Sequence, residues 1–230
     1  MSQYRGVILD IDGTLIDSND AHTWAWQKSL AQHGHDVPFE QIRRLIGMGG
    51  DNLLPELINV EKDSPEGKPM SEGWNEIFRE QYLPHIRAFP QTRELVQQMH
   101  DAGLKIVVAT SAQGEMVEQL LDIAGVKELV EEWTSASDAE SSKPDPDIIE
   151  AALDNLGLAP DEVVMIGDTP YDIEAAAKAN VGVIALRCGG FTDEELAGAI
   201  EIYDAPADLL ARYQSSPLGR KAVVEELGHS

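Results

Sequence analysis

Two hydrophobic periods alternate along this chain. The runs Val7-Ile8-Leu9, "LKIVVAT", "VVMIGD" and "VGVIALR" lack the polar alternation of a half-exposed strand, so they read as strands buried on both faces of a parallel sheet. Between them the apolar residues recur at helical spacing. Met116, Val117, Leu120, Leu121 and Ala124 share one helical face that Gly125 stops. Ile148, Ile149, Ala152, Leu153 and Leu156 form another, predicted to open on Asp145 as cap with Pro146 at the first helical position and to close on Gly157. A further helix is expected from Pro170 to about Ala179, and "LVEEWTSA" and "IEIYD" predict short, weaker strands.

Strands that alternate with helices predict an α/β fold, a Rossmann-like doubly wound parallel sheet. If the strand from Val7 is central, the winding reverses beside it. Ligands bind at such a reversal, outside the carboxyl ends of the strands. Asp10, Thr110 and Asp168 all fall at predicted strand ends, so the topology would gather them in one crevice.

Residues 18–87 break the alternation. Helical signals are present at Trp26 with Leu30, at Ile42 with Leu45 and Ile46, and at Trp74, Ile77, Phe78 and Tyr82, but no strand signal appears. The stretch is therefore expected to be an inserted all-helical cap domain. The expected core comprises 1–17 and 88–214, with hinges near Asp17–Asp20 and Ile86–Pro90. A tail, 215–230, follows a Ser-Ser-Pro break.

Composition narrows the partners. Seventeen Lys and Arg against forty-one Asp and Glu give a net charge of −24, which argues against nucleic acid or an anionic membrane as partner. An anionic ligand must then be held by a few placed cations. A high-salt habitat and plain solubility both fit this acidity. The single cysteine, Cys188, can form no internal disulfide and has no activating base beside it in sequence. No apolar run approaches membrane-spanning length, so a soluble, cytoplasmic protein is expected. Nothing in the sequence addresses oligomeric state.

Several residues carry chemistry. Asp10 and Asp12, at i and i+2 before Gly13, offer one carboxylate to attack and a second to handle a proton, although Asp and Gly also populate ordinary strand-to-turn junctions. Lys143, in "SSKPDPD", is the only cation between Glu128 and Asp161. Taken alone, a loop lysine belongs in solvent; at the crevice edge it is a point charge for a phosphate. Thr110 and Ser111 offer a hydroxyl and backbone N–H groups to the same oxygens, or cap a helix. Thr169 and Asp172 fit a capping box. Asp168 follows a fully apolar strand and needs a partner, and with Asp10 it supplies the hard oxygen ligands that Mg²⁺ prefers.

These motifs together are similar to those of the haloacid dehalogenase-like superfamily of phosphotransferases: Asp10-Ile11-Asp12-Gly13-Thr14, Thr110, Lys143-Pro144 and Gly167-Asp168-x-x-x-Asp172. The resemblance spans residues 4 to about 210, cap included. It implies that Asp10 is a nucleophile forming an aspartyl-phosphate and that Asp12 is the acid and base. It further implies that Asp10, the main-chain carbonyl of Asp12 and Asp168 hold Mg²⁺, with Asp172 in the metal's outer shell. Thr110, Ser111 and Lys143 would grip the phosphoryl group.

Within the superfamily the chain resembles the small-cap β-phosphoglucomutase-like and phosphoglycolate phosphatase-like enzymes. His22 and Trp26 lie where mutases have their first cap helix, and His22 reads equally as a polar helix-face residue. The mutase arginine after the cap's glycine turn is Gly50 here, and the cap lysine aligns with Phe78. A bisphosphate would be poorly held, so hydrolysis of a small phosphorylated metabolite is favoured over mutation. Gly47, Met48 and Gly49 are candidate substrate contacts. "GMGGDN" is no dinucleotide loop, because Asn52 stands where the last glycine belongs. A receiver-type signalling module would lack the helical insert, and a silent phosphate-binding relative would be expected to have lost Asp10, Asp12 or Lys143.

Overall fold

A computed structural model describes residues 4–112, 114–134 and 142–220. Its centre is a six-stranded, wholly parallel sheet built from β1 (Gly6–Leu9), β2 (Lys105–Ala109), β3 (Glu132–Thr134), β4 (Val163–Gly167), β5 (Gly182–Leu186) and β6 (Glu201–Tyr203). The order is β3-β2-β1-β4-β5-β6, with Ile8 aligned to Val107 on one side and to Met165 on the other. The winding reverses at β1, as the sequence predicts. Val7, Ile8 and Leu9 are wholly buried, because helices cover both faces and leave no water for a polar residue to meet.

Two apolar cores sandwich the sheet. One joins Leu9, Val108 and Ile166 to Leu95 and Met99 of α5 (Thr92–Asp101) and to Val117, Leu120 and Leu121 of α6 (Glu115–Ala124). The other joins Ile8, Val107 and Met165 to Ile148, Ile149 and Ala152 of α7 (Asp147–Leu156) and to Ala175 and Ala176 of α8 (Pro170–Lys178). Gly125 and Gly157 close α6 and α7 in the left-handed conformation. The start of α7 differs from expectation: its cap is Pro146, not Asp145. The Asp145 amide closes a turn onto the Ser142 carbonyl, and its carboxylate pairs with Lys178 at 3.3 Å.

Between β1 and α5 the described chain is helical: α1 (Asn19–Gln32), α2 (Phe39–Arg43), α3 (Gly50–Ile58) and α4 (Gly67–Ile77), the last running on through a π turn at Phe78–Tyr82. Asn19 and Asp20, expected in a hinge, already belong to α1, and Leu45 and Ile46 fall in turns beyond the short α2. The insert has its own core of Trp26, Leu30, Ile42, Leu53, Leu54 and Met70. The chain leaves and re-enters the sheet domain side by side. Asp17 N–H donates to Arg87 O at 2.9 Å, Phe89 N–H to Leu15 O at 3.0 Å, and Ile16 bridges Ala88 antiparallel.

After β6, α9 (Pro206–Ala211) packs on α5. The predicted tail begins inside the core, since Leu218 is buried in the same cluster as β1; residues 221–230 lie outside the described residues. No helix among the described residues is long and apolar enough to cross a membrane.

Candidate active site

The carboxyl ends of β1, β2 and β4 bring Asp10, Thr110 and Asp168 together, and the turn before α7 adds Lys143. Lys143 is 1% exposed, so it is no solvated loop lysine. Its Nζ donates to Asp10 Oδ1 at 2.6 Å and to Ala109 O at 3.3 Å, and lies 2.7 Å from Asp172 Oδ1. Burial opposes its charge, but Asp10 and Asp172 outweigh that and raise its pKa.

Asp172 is held by the capping box the sequence predicts: its Oδ2 accepts from the Thr169 hydroxyl at 2.7 Å and from the Thr169 N–H at 3.1 Å. With Lys143 on its other oxygen, Asp172 has little left to offer beyond this frame. Asp168 is more open. Its Oδ1 accepts from Thr14 Oγ1 at 3.0 Å and its Oδ2 from Asn19 Nδ2 at 2.9 Å. Thr14 Oγ1 also lies 3.1 Å from Asp10 Oδ2, and one hydroxyl proton cannot serve both carboxylates at once. Two glycines make room for Asp168: a Cβ at Gly13 would stand 2.3 Å from its Oδ2, and one at Gly189 would stand 1.8 Å away.

Asp10 and Asp12 sit in opposite surroundings. Burial first, and then Asp172 and Asp12, raise the Asp10 pKa to about 7 despite Lys143. Burial also opposes ionisation of Asp12, but there His22 and the Ser18 hydroxyl prevail and hold the carboxyl below its usual range. His22 Nε2 lies 2.9 Å from Asp12 Oδ1 and Ser18 Oγ 2.6 Å from the same atom. His22 is no ordinary helix-face residue: it also stacks on Phe78 with ring centroids 4.0 Å apart.

Carboxylate oxygens of Asp10, Asp168 and Asp172 lie within 4.8 Å of one another. Three buried carboxylates face one ammonium, and burial together with Asp10 and Asp172 drives the Asp168 pKa well up. An all-oxygen donor set with uncompensated charge and glycine-made space fits a hard divalent cation, and Asp10 and Asp168 are the carboxylates that could hold it.

Above this cluster lies a cavity of about 360 Å³ whose lining includes Asp10, Asp12, His22, Ser111 and the loop Gly47, Met48 and Gly49. Thr110 is buried below, its Oγ1 accepting from the Ala112 N–H at 3.1 Å. Thr110 and Ser111 lie in a loop and not at a helix start, since α6 begins at Glu115. The loop after Gly49 is fastened to the Lys143 turn by Asn52 Nδ2, which donates to Lys143 O at 3.1 Å. Burial, with Asp168 nearby, pushes the Cys188 thiol up to about 12, and its Sγ donates to Gly13 O at 3.3 Å.

Sequence reasoning missed several residues here. Thr14 was legible only as a member of the first motif and Asn19 not at all, because their partner Asp168 is far away in sequence. The cap cations Lys62, Lys68 and Arg79 also line the cavity, from positions other than the two where the motif comparison looks for them. A stripe of polar residues along α4 was the available clue.

A doubly wound sheet with acidic strand ends under a helical insert is the architecture of an α/β enzyme. The chain belongs to the haloacid dehalogenase-like hydrolase family, whose model matches residues 7–186. It is similar to the N-acetylmuramic acid 6-phosphate phosphatase of Pseudomonas aeruginosa, with 28% identity over 210 residues covering 90% of this chain and 93% of that protein. It is also similar to the phosphoglycolate phosphatase of Rhodospirillum rubrum, 26% identical over 89% of each chain. Among solved structures, a hydrolase from Pseudomonas syringae superposes with a TM-score of 0.85 at 29% identity, covering 92% of this chain and 98% of that one.

Proposed function

We propose that the protein is a Mg²⁺-dependent phosphomonoesterase that hydrolyses a small phosphorylated metabolite through an aspartyl-phosphate on Asp10. The observation that carries this reading is geometric: Asp10 and Asp12, two residues apart, both line the floor of one cavity, with Lys143 2.6 Å from Asp10 and His22 2.9 Å from Asp12. Phosphatase activity in the similar proteins from Pseudomonas aeruginosa and Rhodospirillum rubrum supports it.

In this reading the Asp10 carboxylate attacks phosphorus, the bond from phosphorus to the ester oxygen breaks, and that oxygen takes a proton through Asp12, resupplied by the imidazole of His22 2.9 Å away. Asp12 then takes a proton from water as the water attacks the phosphoryl group, which releases phosphate and restores Asp10. His22 and Ser18 fix Asp12 through Oδ1. Lys143 orients Asp10 and, with Ser111 and the backbone beside Thr110, neutralises the phosphoryl oxygens. Mg²⁺, held by Asp10, Asp168 and the Asp12 main-chain carbonyl, would supply charge neutralisation and keep Asp10 ionised. Asp172 acts on Lys143 and the end of β4.

Hydrolysis is favoured over mutation because the cap offers no all-cationic cradle: Asp63 and Glu72 line the cavity beside Lys62, Lys68 and Arg79. The test is phosphate release from a panel of phosphoesters with Mg²⁺ and with chelator. Release only with Mg²⁺ is expected, and metal-independent release, or interconversion of sugar-phosphate isomers, would overturn the assignment.

A further inference from the structure

The first helix of the cap reaches into the sheet domain through one side chain. Asn19 opens α1 and is only 3% exposed. Its Nδ2 donates to Asp168 Oδ2 at 2.9 Å and to Gly189 O at 3.3 Å. A main-chain carbonyl can only accept, so the amide must present its nitrogen to this pair. Oδ1 is then left buried, with no donor among the described residues. Two further features serve the arrangement. Gly13 makes the space, since a Cβ there would stand 2.1 Å from Asn19 Nδ2. Arg43 of α2 donates to the same Gly189 carbonyl, while its Nε pairs with Asp20 of α1 at 2.9 Å.

We propose that Asn19 is a positioning residue for the divalent ion: its amide holds the Asp168 carboxylate in the orientation that coordinates, so that the leading helix of the cap carries part of the metal site. The proposal rests on the reading of Asp168 as a metal ligand and adds the residue that sets its orientation. A carboxylate turns about its last bond unless its oxygens are held, and here Thr14 takes Oδ1 and Asn19 takes Oδ2. The Thr14 hydroxyl has one proton and two carboxylates to serve. The Asn19 amide has two protons for two acceptors, so it is the steadier hold. The orphaned Oδ1 points to a ligand as well. An unpaired buried acceptor is costly, and Mg²⁺ brings waters of its own, donors that the described residues do not provide.

Calorimetric titration of the substrate-free protein with Mg²⁺ tests this. Asn19→Leu keeps the branched shape of the side chain and removes its donors; Asn19→Ser stays polar but is too short to reach Asp168. Both are expected to weaken Mg²⁺ binding about 10–100-fold. Tyr171→Phe cuts a different tie between cap and core, the Tyr171 hydroxyl donating to Arg44 O at 2.8 Å, and should leave the affinity within about twofold of wild type. Activity lost in Asn19→Leu should return when Mg²⁺ is raised by the same factor, by mass action, which a packing defect would not allow. Unchanged affinity in both Asn19 variants, or an equal loss in Tyr171→Phe, would overturn the proposal and leave Asp168 a ligand. A wild type that binds no Mg²⁺ would overturn the proposal and the metal reading together. Weakened binding in the Asn19 variants of a protein that releases no phosphate would uphold the proposal and sink the reaction assignment instead.

Discussion

Lys143 Nζ lies 2.7 Å from Asp172 Oδ1 with both side chains sealed from solvent, and the same ammonium reaches Asp10 at 2.6 Å. One cation thus ties the floor of the site to the start of α8. Removing the ammonium leaves buried carboxylates with no cation beside them. Lys143→Met is expected to cost about 3–5 kcal/mol of stability, read as a lowered midpoint in urea, and loss of activity at unchanged stability would contradict this account.

Asp10→Asn keeps the shape of the side chain and a partner for Lys143 but removes the attacking oxygen's charge. Turnover should fall at least about a thousandfold, more than 4 kcal/mol in the barrier, while circular dichroism and melting stay near wild type. Measurable Mg²⁺-dependent hydrolysis by the pure variant would remove Asp10 from its assigned role.

The buried carboxyls also predict how metal and pH interact. Asp10 is raised to about 7 and Asp168 is raised as well, so the folded chain binds protons that the unfolded chain gives up near pH 4. The metal-free protein therefore loses stability as pH climbs from about 4 to about 7. Mg²⁺ replaces those protons. The rise in Tm on adding Mg²⁺ should be small at pH 5 and grow towards pH 8, and Asp168→Asn should flatten it. A Tm gain independent of pH would show that these carboxyls do not hold the ion.

Gly189 matters through what it leaves empty. A Cβ there would stand 1.8 Å from Asp168 Oδ2, so Gly189→Ala must displace that carboxylate. We expect Mg²⁺ affinity to fall by about 10–100-fold, measured as the metal concentration at half-maximal activity and by calorimetry. A variant with wild-type metal dependence would mean that Asp168 is not a ligand.

Much of this was readable in the chain. The unbroken apolar runs marked the buried strands, because a strand covered on both faces has no use for polar residues, and a central β1, assumed from the sequence and found in the sheet, places Asp10, Thr110 and Asp168 at one edge. The Thr169–Asp172 capping box is local and was visible as such. What escaped was non-local. Nothing around Thr14 or Asn19 announces Asp168, more than a hundred residues away. The burial of Lys143 depends on two distant carboxylates, Asp10 after β1 and Asp172 in α8. The start of α7 moved past Asp145 because the turn at Ser142 took that residue's amide. The cap wall was hidden because its polar stripe on α4 resembles any solvent-facing helix until the cavity is seen beside it.

The paired crossings at Ile16 and Ala88 have a consequence for ancestry. Because the excursion begins and ends at neighbouring backbone positions, the sheet registers it as a long loop whose ends already touch. Helices could be lengthened, traded or grafted there without moving a strand. The strand-end carboxylates and the cap lining of the cavity therefore sit on stretches of chain that can change separately.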